Sequence, residues 1–409
     1  MNIIQYLFEV IEVQAIIETK QLQQAVKQAG KVAGKRSSMP ILESVRIDAG
    51  LEGLTVSATN LEAWGRASVE CVTQTDAGPN SVLVSASLLA KLAGKLPSGE
   101  VLLTAPKAAD DESGVLTIGG AVIPTMELED YPEELQATDG VLIGSFPGDV
   151  FKALVKRLKA ASRKDDDTRR ALSGINVIYG EGRVKLAATD GRRLLLEEFA
   201  VDCSESGAVL VDAADLARIA TLVKASDVVT VEALPGHTVL VTEGEYATFE
   251  RARLVVSFSS ARYTLRGINE EFPDFERVIP SGSGVQFIIG RKLFASAIAR
   301  GRIVADPDDE GVTLSIESGS SVLSMSSGCR ELGQYREMVR TSETVWESCG
   351  PVAFNGSHVA DVLKLGKSAS VSVTLGDGPN NAALFSTDSD NVQGRTRQAW
   401  VLMPLNLDT

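Results

Sequence analysis

The sequence predicts an α+β chain made of three similar units, each combining antiparallel sheets with two helices. Three observations lead there. The first is a dominance of short valine-, isoleucine- and threonine-rich runs with period-2 alternation, at 45–47, 54–58, 101–104, 115–118, 209–211, 228–231, 239–241 and 371–375. The second is six stretches with helical spacing, at 20–36, 86–96, 148–164, 212–224, 291–302 and 357–367. In the first of these Leu22, Val26, Ala29, Val32 and Ala33 form an apolar stripe, and in the third Phe151, Leu154, Val155 and Leu158 do. The third observation is recurrence. ATN at 58–60, ATD at 188–190 and a weaker SSG at 326–328 each close a strand pattern, roughly 130 residues apart.

The order strand, helix, several strands, helix, several strands is repeated three times. An acidic-aromatic-proline marker closes the first two rounds (Asp130, Tyr131, Pro132; Glu271, Phe272, Pro273), and VLMPL at 401–405 closes the third. This divides the chain into units at 1–137, 138–282 and 283–409, with strand signal in the first beginning near Val13. A repeat of this length is a domain with a core of its own rather than a turn of a solenoid.

The stretch around which the rest is organised is 184–196, VKLAATDGRRLLL. Val184, Leu186, Ala188, Leu194 and Leu196 read as two strands, and Asp190–Gly191 as the tight turn between them, glycine being free to take positive φ. Arg192 and Arg193 place two guanidinium groups beside the apolar strand.

Composition excludes several classes. Of 409 residues 44% are hydrophobic, which rules out wholesale disorder, and aromatics are only 5%, so the cores must be aliphatic. The four cysteines are widely spaced with no CxxC, so neither a zinc site nor a disulfide framework is expected, and a reducing compartment is. The first seventeen residues carry Glu9 and Glu12 without a basic start and fit neither a signal peptide nor a membrane span. A cytoplasmic protein with no membrane partner is the expectation, and a secreted repeat protein is disfavoured. P-loop, GxSxG and HExxH patterns are absent, and His237 and His358 stand far from other candidate ligands, so no metal or cofactor is expected. His237 reads as a loop residue after Pro235 and Gly236, and the acidic runs at 165–167 and 306–310 read as solvated loops. The enzymatic alternative, a hydrolase with Asp190 as base and Arg192 or Arg193 stabilising an anion, lacks a clustered acid–base set.

A net charge of −14 argues against a nucleic-acid partner only if the charge is evenly spread. It is not. The six helical stretches hold 21 Lys and Arg against 4 Asp and Glu, while the rest of the chain holds 19 against 50. None of the six contains glutamate, although glutamate suits helices as well as lysine does. Like charges on one helix repel, and a polyanion lying against them relieves that cost. A functional basic face follows.

With ATDGRRLLL, EFPDFERVIP, RSSMPILESVRI and the terminal VLMPLNL in this order, the chain resembles the bacterial DNA polymerase III beta sliding clamp family from about Val13 to Leu407. The resemblance implies the DNA clamp fold and a head-to-tail homodimer closing into a ring, helices lining the hole and sheets outside. It implies a non-catalytic processivity factor that encircles double-stranded DNA without sequence specificity. Its partners would be the DNA polymerase III catalytic subunit, the clamp loader and other proteins carrying a clamp-binding motif.

The family pattern places DNA contacts at Lys35, Arg36, Arg169 and Arg170, and charge alone adds Lys27, Lys31, Lys152, Lys156, Arg157 and Lys159. It also implies a partner-peptide cleft between the second and third domains. Matching positions are Leu172, Thr189, Gly191, Arg192, Arg193, Leu194, Pro273, Arg277 and Val278, with Asn355, His358, Pro379, Asn381, Val401, Leu402, Met403, Pro404, Leu405 and Leu407 from the third. By alignment the protomer interface pairs Ile123 with Ile303 and Val304. The chain departs from the pattern at His358, where an aromatic is usual, at Asn406, usually basic, at Asp309, often apolar, and in the two residues after Leu407.

Overall fold

The computed structural model describes residues 11–34, 37–74, 80–106, 114–134, 140–164, 168–241, 246–280, 284–376, 381–387 and 394–405. Alternation of valine and leucine with polar residues produces strands with one face inside. In Ser44–Gly50, Val45, Ile47 and Ala49 are buried, and in Gly174–Gly180, Ile175, Val177 and Tyr179 are.

The three repeats seen in the sequence are distributed over two compact units, and the middle repeat is divided between them. The first unit comprises 1–152 and 214–267. In it Ile11–Glu18 pairs with Val72–Gln74 and with Glu100–Pro106 in a five-stranded sheet that ends on the edge strand Ala121–Pro124. Its eight-stranded sheet is continuous because Ala261–Arg266, from the middle repeat, pairs antiparallel with Ala63–Val69, from the first. Helices Thr19–Ala29 and Ala86–Ala93 pack together, and Gln23 Nε2 donates 2.8 Å to the Ala93 carbonyl.

The second unit comprises 153–213 and 268–409. Its twelve-stranded sheet is joined in the same way: Arg193–Ala200 pairs antiparallel with Arg395–Leu402, so the middle and last repeats share one hydrogen-bonded surface. Helices Arg291–Val304 and Gly356–Leu365 lie against each other through an Arg302–Ser357 hydrogen bond of 2.6 Å. Trp400 is wholly buried in the joining strand. Trp400→Ala should lower stability by about 3–5 kcal/mol, the usual effect of removing a large core aromatic, read as the shift of the denaturation midpoint.

All six helical stretches are helices; five end earlier than the periodicity implies, and the one at 291–302 runs on to Val304. The first stops at Ala29, where the Gly30 amide closes on the Val26 carbonyl and the chain turns. Val32 and Ala33 remain buried beyond that stop, so the apolar stripe continues where the helix does not. His237, expected in a loop, instead opens the strand His237–Val241, which pairs with Tyr246–Glu250. Among the described residues no helix is long and apolar enough to cross a membrane.

Candidate functional site: an apolar groove and lysine-bearing helices

The hairpin Arg183–Thr189 and Arg193–Ala200 is held at its tip by Asp190. One carboxylate oxygen accepts the Arg192 and Arg193 amides at 2.9 and 3.0 Å, and the other takes Arg193 Nε at 3.0 Å. Thr189 Oγ1 donates to the Arg193 carbonyl and accepts from the Gly191 amide. Gly191 has φ +89 with open space around it, so a side chain there would strain the backbone without colliding. Asp190 is thus engaged by two turn amides and one guanidinium and acts as the group that builds the turn. Arg193 continues outward to Asp361 at 2.7 Å and clamps the hairpin to helix Gly356–Leu365.

The final strand completes the groove. Arg193 stands opposite Leu402 and Leu194 opposite Val401, the Met403 amide donates to the Arg192 carbonyl at 2.9 Å, and the Leu405 amide to the Ala353 carbonyl at 2.7 Å. Leu172, Thr189, Leu194, Val401 and Leu402 are buried, and Leu194 and Val401 share an apolar cluster with Ala187, Leu196, Phe275 and Ala399. Gly191, Arg192, Pro273, Arg277, Val278 and Met403 are exposed, while Pro404 and Leu405 are half-buried. A cavity of about 440 Å³ opens beside them, lined by Arg163, Arg169, Leu172, Asp190, Gly191 and Arg192. Arg277 pairs with Asp274 at 2.7 Å, and Asn355 caps its helix by accepting the His358 amide while donating to the Asp309 carbonyl. Asn381 is exposed, and Pro379 and Leu407 lie outside the described residues.

Burial lowers the pKa of His358 from the usual imidazole value, and the Arg193 charge beside it adds to this, while Asp190 and Asp361 oppose. A depressed histidine binds its proton more readily in the unfolded chain. Stability should therefore fall as pH drops below about 6.5, the ordinary imidazole value. His358→Phe should flatten that slope, measured as melting temperature against pH.

The cationic residues sort by type. The arginines of the longer helices are engaged: Arg218 with Asp215, Arg300 with Glu337, Arg302 with Glu310, and Arg291 with the Leu363 and Ser368 carbonyls. Among the described residues no helix lysine has an ion pair. Lys27, Lys152 and Lys156 are exposed, Lys31 and Lys159 half-buried, and Arg169 and Arg170 exposed at the short helix Arg170–Ser173. Lys35 and Arg36 lie outside the described residues.

Two expectations are corrected. Arg157 is 3% exposed and its Nε lies 2.5 Å from the wholly buried Glu197, so it does not reach a phosphate. It sits three residues from Leu154 and four from Ala161, inside the buried helix stripe. The overlooked signal was Glu197 itself, a carboxylate in the apolar run LLLEEF that required a cation. Arg157→Glu would set two carboxylates together in the core, with an expected loss of about 3–5 kcal/mol, observable as a lower denaturant midpoint. The second correction is Ile123, whose side chain is buried within its own sheet while its neighbour Val122 is 63% exposed. Ile303 is 74% exposed and Val304 half-buried.

Sheet-and-helix pairs repeated along the chain, a preformed apolar groove and unpaired helix lysines define a DNA-clamp class of protein rather than a catalyst. Three consecutive family models match: DNA polymerase III beta subunit, N-terminal domain, at 13–136, central domain at 145–274, and C-terminal domain at 276–396. The chain belongs to the DNA polymerase III beta subunit family, the sliding clamps, which are non-catalytic processivity factors.

The beta sliding clamp of Synechocystis sp. is 24% identical over 404 residues, covering 96% of this chain and 99% of that protein. The beta sliding clamp of Streptomyces coelicolor is 25% identical over 398 residues, covering 96% and 98%. Among solved structures, the DNA polymerase sliding clamp of Bacillus subtilis superposes with TM-score 0.79 at 19% identity, covering 96% of this chain and 99% of that one. The DNA polymerase III subunit beta of Pseudomonas aeruginosa gives 0.78 at 21%, covering 96% and 100%.

Proposed function

We propose that two copies close head-to-tail into a ring around duplex DNA, with the lysine-bearing helices turned to the phosphates, and that the groove receives an apolar linear motif of the replicative polymerase, the clamp loader and other partners. The observation that carries the DNA half is the separation of cations: the arginines of the longer helices are bound to partners within the protein, while Lys27, Lys152 and Lys156 on those helices, with Arg169 and Arg170 at the short helix, are exposed. A lysine ammonium is a mobile point charge without the fixed fork that guanidinium presents to phosphate. A lining of such charges attracts the backbone without holding one register, and phosphate contacts carry no sequence information. Duplex DNA presents a charge every ~1.7 Å of axis, so translation along it changes little.

The partner half rests on an exposed lip (Met403, Val278, Pro273) over a buried aliphatic floor (Leu172, Leu194, Val401). That form suits an extended peptide with apolar anchors. Tethering through it raises the effective concentration of polymerase at the primer end. In the dimer, exposed Ile303 and half-buried Val304 of one protomer would meet the edge strand Ala121–Pro124 of the other, with Val122 rather than Ile123 supplying the apolar contact. The setting would be the bacterial cytoplasm, with the free cysteines kept as thiols. Sedimentation should give the mass of a dimer, and Ile303→Asp should shift it toward the monomer; an unchanged dimer would remove Ile303 from the interface.

A further inference from the structure

The groove depends on two strands from different repeats, and the group that fixes their pairing lies outside it. Strand Arg193–Ala200 runs beside Arg395–Leu402 with Leu195 opposite Trp400 and Glu197 opposite Gln398. Apolar alternation decides which face each strand turns inward, since a slip of one residue exchanges the faces. A slip of two keeps the faces, and a run of leucines against Ala399, Trp400, Val401 and Leu402 does little to forbid it.

Glu197 supplies the missing constraint. Its carboxylate is wholly buried. One oxygen accepts Arg157 Nε at 2.5 Å and Gln398 Nε2 at 2.8 Å, and the other lies 3.4 Å from an Arg395 guanidinium nitrogen. Gln398 is fixed in turn, its carbonyl oxygen accepting Thr387 Oγ1 at 2.6 Å. The pairing shifts by one residue just past Glu198, which brings Arg395 rather than Thr396 opposite Phe199. A two-residue slip would stand Glu197 against Trp400 or Thr396 and take it from Gln398, leaving a buried carboxylate short of donors. Buried polar groups satisfied in only one arrangement select register in this way.

We propose that Glu197, held by Arg157, Gln398 and Arg395, is a positioning residue for the partner groove. It sets the register between the middle and last repeats, and so the placement of Met403–Leu405 against Arg192–Leu194. The proposal rests on the groove reading above, and its test separates the two.

The test uses the full-length dimer, with the DNA polymerase III catalytic subunit as probe. Glu197→Gln should weaken polymerase binding at least tenfold and speed hydrogen exchange at the Met403 amide, which is bonded to the Arg192 carbonyl. Arg157→Met/Glu197→Leu, which replaces the charged pair with apolar side chains, should regain thermal stability while polymerase binding stays weak and Met403 exchange stays fast. A purely structural contact predicts that all three recover together, and that result overturns the proposal. So does Glu197→Gln with parental affinity and exchange. Met403→Ala serves as the control: if it binds polymerase as the parent does, the groove reading has failed, and exchange at Met403 alone then decides the register claim.

Discussion

A chain ending at Leu402 is expected to lose polymerase binding altogether, by 100-fold or more, while still sedimenting as a dimer. The loss is large because Met403, Pro404 and Leu405 line one side of the groove, anchored through Met403 to the Arg192 carbonyl and through Leu405 to Ala353. Binding energy in such grooves is concentrated in a few buried anchors, each worth ~2 kcal/mol or more when removed, and 100-fold corresponds to about 2.7 kcal/mol. The fold should survive, because the deletion begins after Leu402 and leaves strand Arg395–Leu402 paired along its length. Surface-immobilised clamp titrated with polymerase, beside the intact chain, reads the effect. Unchanged polymerase affinity would defeat the groove assignment.

The second large effect concerns DNA. Replacing Lys27, Lys152 and Lys156 with Glu should cut loading and residence on DNA at least tenfold. Stability should change by no more than about 1 kcal/mol, as for exposed positions without partners. All three are exposed, and none has an ion pair among the described residues. Before closure, binding should show a smaller salt dependence in the variant, because each lost phosphate contact removes about 0.9 from the slope of log affinity against log salt. Arg157 separates the two kinds of cation: its reversal should destabilise the fold, theirs should only weaken binding. If the triple variant loads as the parent does, the lysines are not the DNA-facing set.

The sequence disclosed the helices and the turn at Asp190–Gly191, because each rests on a local signal: a period or a turn pair. What it did not disclose is non-local. Strand pairing between Ala261–Arg266 and Ala63–Val69, and between Arg193–Ala200 and Arg395–Leu402, distributes three repeats over two compact units. Nothing in any one repeat announces this. Charge counting placed Arg157 with the lysines, since a count does not see that its partner stands 40 residues away. Ile123 shows a similar limit: the pleat decides which of two neighbouring residues faces out, and here it is Val122.

A ring closed around duplex DNA holds it by topology rather than by affinity. Clamp loaded onto nicked circular DNA and washed at high salt tests this most directly. Retention on the circle is expected, with release once the DNA is cut to a linear form so that the ring slides off the ends. Equal release from circular and linear DNA as salt rises would mark an ordinary electrostatic binder and contradict topological retention.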